Sequence, residues 1–191
     1  MSEGSTESIE ASEPIETSLV INLVQQEYPA AILNTHRHRD DETIVLKREF
    51  IQPVCRLLRD HLDCRFEMFV DLTAVDYLLV ETDLQQTERF EVIYHLRSLS
   101  KDHRIRLKCP VPKDDCQIPS IHMLWHAVNW YERECYDMYG IHFEGHPNLT
   151  RILMYEQFQG LPLRKDYPVD KQQPLLELND VEERYHYGRF E

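Results

Sequence analysis

Two consecutive stretches in the middle of the chain alternate apolar and polar positions. Over 90–97, Phe90, Val92, Tyr94 and Leu96 share one parity, while Glu91, Ile93, His95 and Arg97 share the other. Over 104–111, Ile105 and Leu107 alternate with Arg104, Arg106 and Lys108. A period of two is that of a half-buried strand, and the short polar link 98–103 predicts an antiparallel hairpin. The run 67–75 reads as a third strand and the weakly alternating 43–47 as a fourth. Helical spacing appears in three places. Thr17 or Ser18 precedes Leu19, Val20, Leu23 and Val24, a short capped helix that Pro29 ends. A second helix starts near Pro53 and buries Val54, Leu57, Leu58 and Leu62. The longest is predicted over about 119–139. There Leu124, Val128, Tyr131, Cys135 and Met138 form an apolar stripe, His126, Trp130, Arg133 and Asp137 line another face, and Gly140 supplies the left-handed stop.

After Ile152 the periodicity dissolves. Gly160, Pro162, Pro168 and Pro174 interrupt it repeatedly, and from Asp166 onward there is too little aliphatic material for a core. At the other end, residues 1–16 contain Glu3, Glu7, Glu10, Glu13 and Glu16 and no basic residue. Such a stretch buries too little apolar surface to offset its ordering entropy and reads as disordered, with an acidic recognition tail as the alternative. The division that follows is an acidic tail (1–16), an α+β globular domain (17–117), a charged helix and loop (118–153) and an extended arm (154–191). The expected architecture is a two-layer α+β domain: a mixed, mainly antiparallel sheet with packed helices, plus a long C-terminal arm.

Composition narrows the function classes. A 191-residue chain with 42% hydrophobic residues supports one domain with arms. A formal net charge of −13, with no basic run longer than Arg164-Lys165, argues against nucleic acid and anionic lipid as partners. No apolar run approaches a membrane span, so membrane association is expected only through other subunits. The acidic start lacks both a secretory pattern and an Arg-rich transit pattern, which suits a bacterial cytoplasmic product. Cys55, Cys64, Cys109, Cys116 and Cys135 contain no CxxC pair and read as reduced thiols.

The densest chemistry lies in 130–168. Glu132, Arg133, Glu134 and Asp137 fall within six residues, flanked by Trp130, Tyr131, Tyr136 and Tyr139. ERE at 132–134, YDMYGI at 136–141, GHP at 145–147, RIL at 151–153 and PLRKDYP at 162–168 occur in that order. Upstream stand DLTAVDY at 71–77, RFEVIYHLRSL at 89–99 and HRIRLKCPVP at 103–112. This ordered set resembles the signature of the 30 kDa subunit of respiratory complex I, the proton-pumping NADH:quinone oxidoreductase, over roughly 67–173. Asn148, Thr150 and Leu161 depart from the common pattern of that family.

The resemblance implies a non-redox assembly subunit of the quinone-reducing module, peripheral on the cytoplasmic side of the bacterial inner membrane. It implies packing against a 49 kDa-like subunit and iron–sulfur subunits. FMN, iron–sulfur clusters, NADH and quinone would then be held by those partners, with no cofactor in this chain. The docking residues it implies are Trp130, Glu132, Arg133, Glu134, Asp137, Gly140, His146, Pro147, Arg151, Arg164, Lys165, Asp166, Tyr167 and Pro168. The nearer rival is a homologous subunit of a membrane-bound hydrogenase or formate hydrogenlyase.

Independent sites are weakly supported. None of the five glycines builds a phosphate-cradling loop, and the cysteines are too widely spaced for a usual cluster motif. Cys109, Cys116, His122 and His126 offer zinc-type ligands at an unusual spacing, the remote alternative of a free-standing zinc protein. His142 and His146 flank a predicted turn without HExxH. Glu132, Glu134 and Asp137 suit acid–base chemistry only if one is buried and its pKa raised. The competing expectation is that Arg133 pairs with Asp137 and the glutamates bond to loop N–H groups or to Arg151 and Arg164.

Overall fold

The computed structural model describes residues 18–39, 41–79 and 88–175. The expected tail at 1–16 and the end of the arm, 176–191, lie outside them. Eleven elements follow in order: α1 (Leu19–Glu27), β1 (Ile32–His38), β2 (Asp41–Leu46), a 3-10 turn (Arg48–Phe50), α2 (Ile51–Asp60), β3 (Met68–Asp76), β4 (Phe90–Ser98), β5 (His103–Val111), β6 (Gln117–Pro119), α3 (Val128–Tyr139) and β7 (His142–Glu144). Five strands form one sheet in the order β1-β2-β5-β4-β3, antiparallel except that β2 runs parallel to β5; β6 and β7 make a separate parallel pair. The α+β class with a mixed, mainly antiparallel sheet is therefore observed.

The β4–β5 hairpin is in the expected register, from Phe90 opposite Val111 to Ser98 opposite His103. Phe90, Val92, Tyr94 and Leu96 are buried with Ile105, Leu107, Cys109 and Val111. Val20, Ile21 and Val24 of α1, Val54, Cys55 and Leu58 of α2, and Val128 and Cys135 of α3 cover that face. Removing these side chains from water stabilises the domain by about 1.5–3 kcal/mol each. Ser18 caps α1, its hydroxyl accepting the Ile21 N–H at 3.4 Å. All five cysteines are free thiols.

Three local expectations are corrected. The long helix does not start near 119: Pro119 lies in β6, residues 122–124 form a turn, and α3 begins at Val128. Leu124 mimicked one more helical step but belongs to that turn. The turn expected between His142 and His146 forms at 143–146, where the His146 N–H donates to the Phe143 carbonyl at 3.2 Å with Gly145 at φ 81°, and strand β7 leads into it. The helix expected to start near Pro53 starts at Ile51, after the 3-10 turn. Its Pro53 is tolerated in the first turn, where N–H groups have no intrahelical acceptor. Leu62 lies beyond that helix and is exposed. Strand β1 escapes the pattern of alternation, because ILNTHRH carries few apolar positions and most of it faces solvent at the sheet edge.

Candidate functional site

The charged residues of the signature stretch are largely turned inward. Glu132, on the second turn of α3, is fully buried. Its carboxylate accepts the Ser120 hydroxyl at 2.5 Å and the Ile121 N–H at 2.8 Å, tying the segment after β6 to the helix. Burial pushes this carboxyl up to about 7, against the downward pull of those two hydrogen bonds. His146 Nε2 lies 4.0 Å from Glu132 Oε2 and donates to the Asn129 carbonyl at 3.3 Å, while Nδ1 accepts the Asn148 N–H at 3.1 Å. A neutral imidazole satisfies both bonds, and burial lowers the His146 pKa in the same sense. The Ser120 hydroxyl donates to Glu132 and lies 3.0 Å from His122 Nδ1, so it bridges the segment after β6 to α3.

One turn further on, Asp137 forms a second buried node. Its carboxylate accepts the N–H groups of Ile152, Leu153 and Met154 at 3.1, 2.8 and 2.8 Å, and Arg151 Nη1 at 3.2 Å. Successive N–H groups converging on one carboxylate hold a loop that has no regular ladder of its own. The expected Arg133–Asp137 pair is not what forms. Arg133 instead donates to the Thr150 and Arg151 carbonyls at 3.1 and 3.0 Å and lies 5.3 Å from the Trp130 ring. Arg151 completes the loop by reaching the Gly160 carbonyl at 3.4 Å.

The PLRKDYP segment lies on the domain itself. Leu163 N–H donates to the Met138 carbonyl at 3.3 Å, and Arg164 Nε donates to the Tyr139 carbonyl at 2.6 Å. Gly140 ends α3 at φ 73°, and a Cβ there would stand 2.6 Å from Leu161 Cδ1, so both backbone and space call for glycine. Asp76, buried at the end of β3, receives Arg89 Nε at 3.0 Å, Arg89 Nη2 at 2.8 Å, Leu78 N–H at 3.1 Å and Lys165 N–H at 2.9 Å. Burial by itself would raise the Asp76 carboxyl, but Arg89 and the two N–H groups outweigh it and hold it below the ordinary range. Arg89 also meets Asp166 at 2.9 Å, and Arg89 and Arg164 both lie over the Phe90 ring, at 4.8 and 4.9 Å. Tyr167 stacks on Phe158 at 6.2 Å and accepts Gln173 Nε2 at 2.6 Å.

Sequence reasoning missed Asp76 and Arg89 as members of this network. A signal was present: Asp76 shares the buried parity of Leu72 and Ala74, so its charge needed an internal partner. Of the expected docking residues, Glu132, Arg133, Asp137, Gly140, His146, Arg151, Arg164 and Tyr167 build the scaffold. Trp130 (60% exposed), Glu134, Pro147, Lys165, Asp166 and Pro168 remain on the surface, where Leu153 (57% exposed) joins them. The zinc-type set is not brought together: among the described residues no group of three or more His, Cys, Asp or Glu is arranged to hold a metal. Among them, too, no helix is long and apolar enough to cross a membrane.

Fold and site together define a two-layer α+β domain whose charged signature helix pins its own following loop and C-terminal segment. The chain belongs to the family described as respiratory-chain NADH dehydrogenase, 30 kDa subunit, which residues 44–173 match. It is 43% identical over 154 residues to the corresponding NADH-quinone oxidoreductase subunit of Citrifermentans bemidjiense, covering 81% of this chain and 91% of that one. The same subunit of the Hyphomonas neptunium NADH-quinone oxidoreductase is 40% identical over 164 residues, covering 86% of this chain and 77% of the relative. Among solved structures, a trypsin-resistant fragment (1–134) of Nqo5 superposes with TM-score 0.57 at 29% identity, over 69% of this chain and all of that fragment. A chain in the structure of the membrane-bound sulfane sulfur reductase, an archaeal respiratory membrane complex, shares the fold at TM-score 0.61 and 20% identity, over 90% of this chain and 93% of that one.

Proposed function

We propose that this chain is a structural subunit of the peripheral arm of a proton-translocating NADH:quinone oxidoreductase, without a redox centre of its own. One observation carries the reading: the family match spans 44–173 and so contains the whole signature network. Curated relatives at about 40% identity, themselves named as NADH-quinone oxidoreductase subunits, support it. On this reading NADH, FMN, the iron–sulfur clusters and quinone are bound by partner subunits, a 49 kDa-like subunit among them. The chain reaches the cytoplasmic face of the inner membrane through them.

The geometry favours a division of labour within the signature. Asp137, Arg133 and Arg151 fix the loop 145–154 against α3, Glu132 fixes residues 120 and 121 there, and Arg164 with Asp76 fixes the segment that follows. Their hydrogen bonds are internal, which suits a preorganised docking surface better than acid–base turnover. Trp130 and Leu153, exposed and apolar, are the anchors offered to a partner, with Glu134, Lys165 and Asp166 as a charged rim.

Affinity purification of the tagged chain from its own cells in mild detergent tests the assignment. Co-elution of NADH-dependent quinone reduction, with flavin and iron–sulfur absorbance, is the expected result. A colourless, inactive chain eluting alone, under conditions where the oxidoreductase survives intact, would overturn it.

A further inference from the structure

Glu132 is fully buried, yet a line of side chains connects its carboxyl to the surface. Ser120 Oγ lies 2.5 Å from Glu132 Oε2 and 3.0 Å from His122 Nδ1, and it also accepts the His122 N–H at 3.3 Å. His122 is half-buried, so the line ends at an imidazole that solvent reaches. Burial displaces the titration of Glu132 to about 7. The carboxyl therefore gains and loses a proton near neutral pH while close-packed side chains cover it.

We propose that His122, Ser120 and Glu132 form a proton relay, through which the buried carboxyl takes its proton from solvent and returns it without the core opening. Each of the three groups can both give and accept a hydrogen bond, which is what a relay requires. With Glu132 ionised, Ser120 donates to Oε2 and accepts from His122 Nδ1–H. A proton bound at His122 Nε2 sends the Nδ1 proton to Ser120 Oγ and the Ser120 proton to Oε2. Bonds form at Nε2–H, Oγ–H and Oε2–H, those at Nδ1–H and the former Oγ–H break, and the one proton taken from solvent is the difference. Every hydrogen bond in the line is then reversed: Glu132 donates to Ser120, and Ser120 donates to Nδ1. The Ile121 N–H stays on Oε1 and the His122 N–H on Oγ in both states, so the segment after β6 remains tied to α3 throughout.

The other groups facing Glu132 stay outside this line. From the bend after β7, His146 Nε2 stands 4.0 Å from Oε2 but gives its proton to the Asn129 carbonyl, and its Nδ1 accepts the Asn148 N–H. Cys55 of α2, Tyr94 of β4 and Cys135 of α3 lie within range of its charge, and burial pushes all three up, so they keep their protons at neutral pH. Ser120 with His122 is thus the hydrogen-bonded way out. What the relay supplies is a charge on α3 that follows the pH of the surrounding solvent while the scaffold stays closed.

Infrared and NMR spectra of the full chain test this. The protonated Glu132 carboxyl is the C=O band that Glu132→Gln lacks, and the His122 imidazole nitrogens are the signals that His122→Gln lacks. As the band disappears with rising pH, neutral His122 should pass from the Nε2–H to the Nδ1–H tautomer, and in Glu132→Gln its tautomer should not change. His122→Gln keeps a polar partner for Ser120 but cannot pass a proton. After a pH jump its carboxyl band should relax at least about tenfold more slowly than in the wild type, at nearly the same midpoint. A merely structural tie would shift the midpoint or the stability and leave rate and tautomer alone. A His122 tautomer that stays fixed while Glu132 titrates would overturn the proposal. Equal relaxation rates in His122→Gln and the wild type would overturn it as well.

Discussion

Asp76 and Glu132 are both buried carboxylates that tie together segments distant in sequence, and they behave in opposite ways. Asp76 holds residue 165 against the end of β3 with the Arg89 guanidinium beside it, and its pKa is lowered. Glu132 holds residues 120 and 121 against α3 through a hydroxyl and an N–H, with the His146 imidazole 4.0 Å away and no Arg or Lys paired with it among the described residues, and its pKa rises to about 7. At Glu132 two hydrogen bonds pull the pKa down but do not outweigh desolvation. At Asp76 the Arg89 guanidinium adds to two N–H donors and tips the balance, which sets the opposite sign of that node's response to pH.

The comparison is broken most severely by removing the cation. Arg89→Met leaves Asp76 buried and unpaired, and chemical denaturation should show a loss of about 3–5 kcal/mol at neutral pH. Next comes the pH dependence. A raised carboxyl binds its proton more tightly in the folded state, so stability from Glu132 falls as pH rises from about 4.5 to about 7 and is level above. At about 1.4 kcal/mol per pKa unit the fall is about 3 kcal/mol. Glu132→Gln should flatten that limb of the stability–pH curve. Asp76 acts in the other direction: its contribution is present above the ordinary carboxylate range and lost as pH falls below it, so the acid limb should survive in Glu132→Gln. Gly140→Ala, at the joint between α3 and the PLRKDYP segment, should cost about 1–2 kcal/mol through its positive φ and the approach of Leu161. Smallest is Asp166→Asn. Its side chain is 49% exposed, so solvent screening should keep the change within about 0.5 kcal/mol and show that Arg89 acts chiefly on Asp76.

The β4–β5 hairpin and strand β3 were legible because a period of two places Phe90 to Leu96, Ile105 and Leu107 on one face whatever the rest of the chain does. The parallel pairing of β2 with β5 was not, because the connection between them contains a helix and two other strands, and no local pattern records which neighbour is chosen. Strand β6 was hidden for a related reason: Gln117 to Pro119 is too short for a period and is a strand only because β7 lies beside it. At the site, residue types were legible and partners were not. Arg133 and Asp137 are four residues apart on one helix. Yet three backbone N–H groups and Arg151 compete successfully for Asp137, a competition visible only once residues 150–154 fold back. The raised pKa considered for one of the three acids falls on Glu132, whose fully buried carboxylate accepts the Ser120 hydroxyl and the Ile121 N–H.

The most direct test of a signature that is scaffold inside and docking surface outside is to change only the outside. Trp130→Ala with Leu153→Ala should leave the melting temperature of the purified chain near that of the wild type, since both side chains are largely exposed. Recovery of NADH-dependent quinone reductase with the tagged chain should fall by at least about tenfold, as loss of an interface anchor implies. Wild-type recovery of the oxidoreductase by this folded double variant would contradict the assignment of the docking surface.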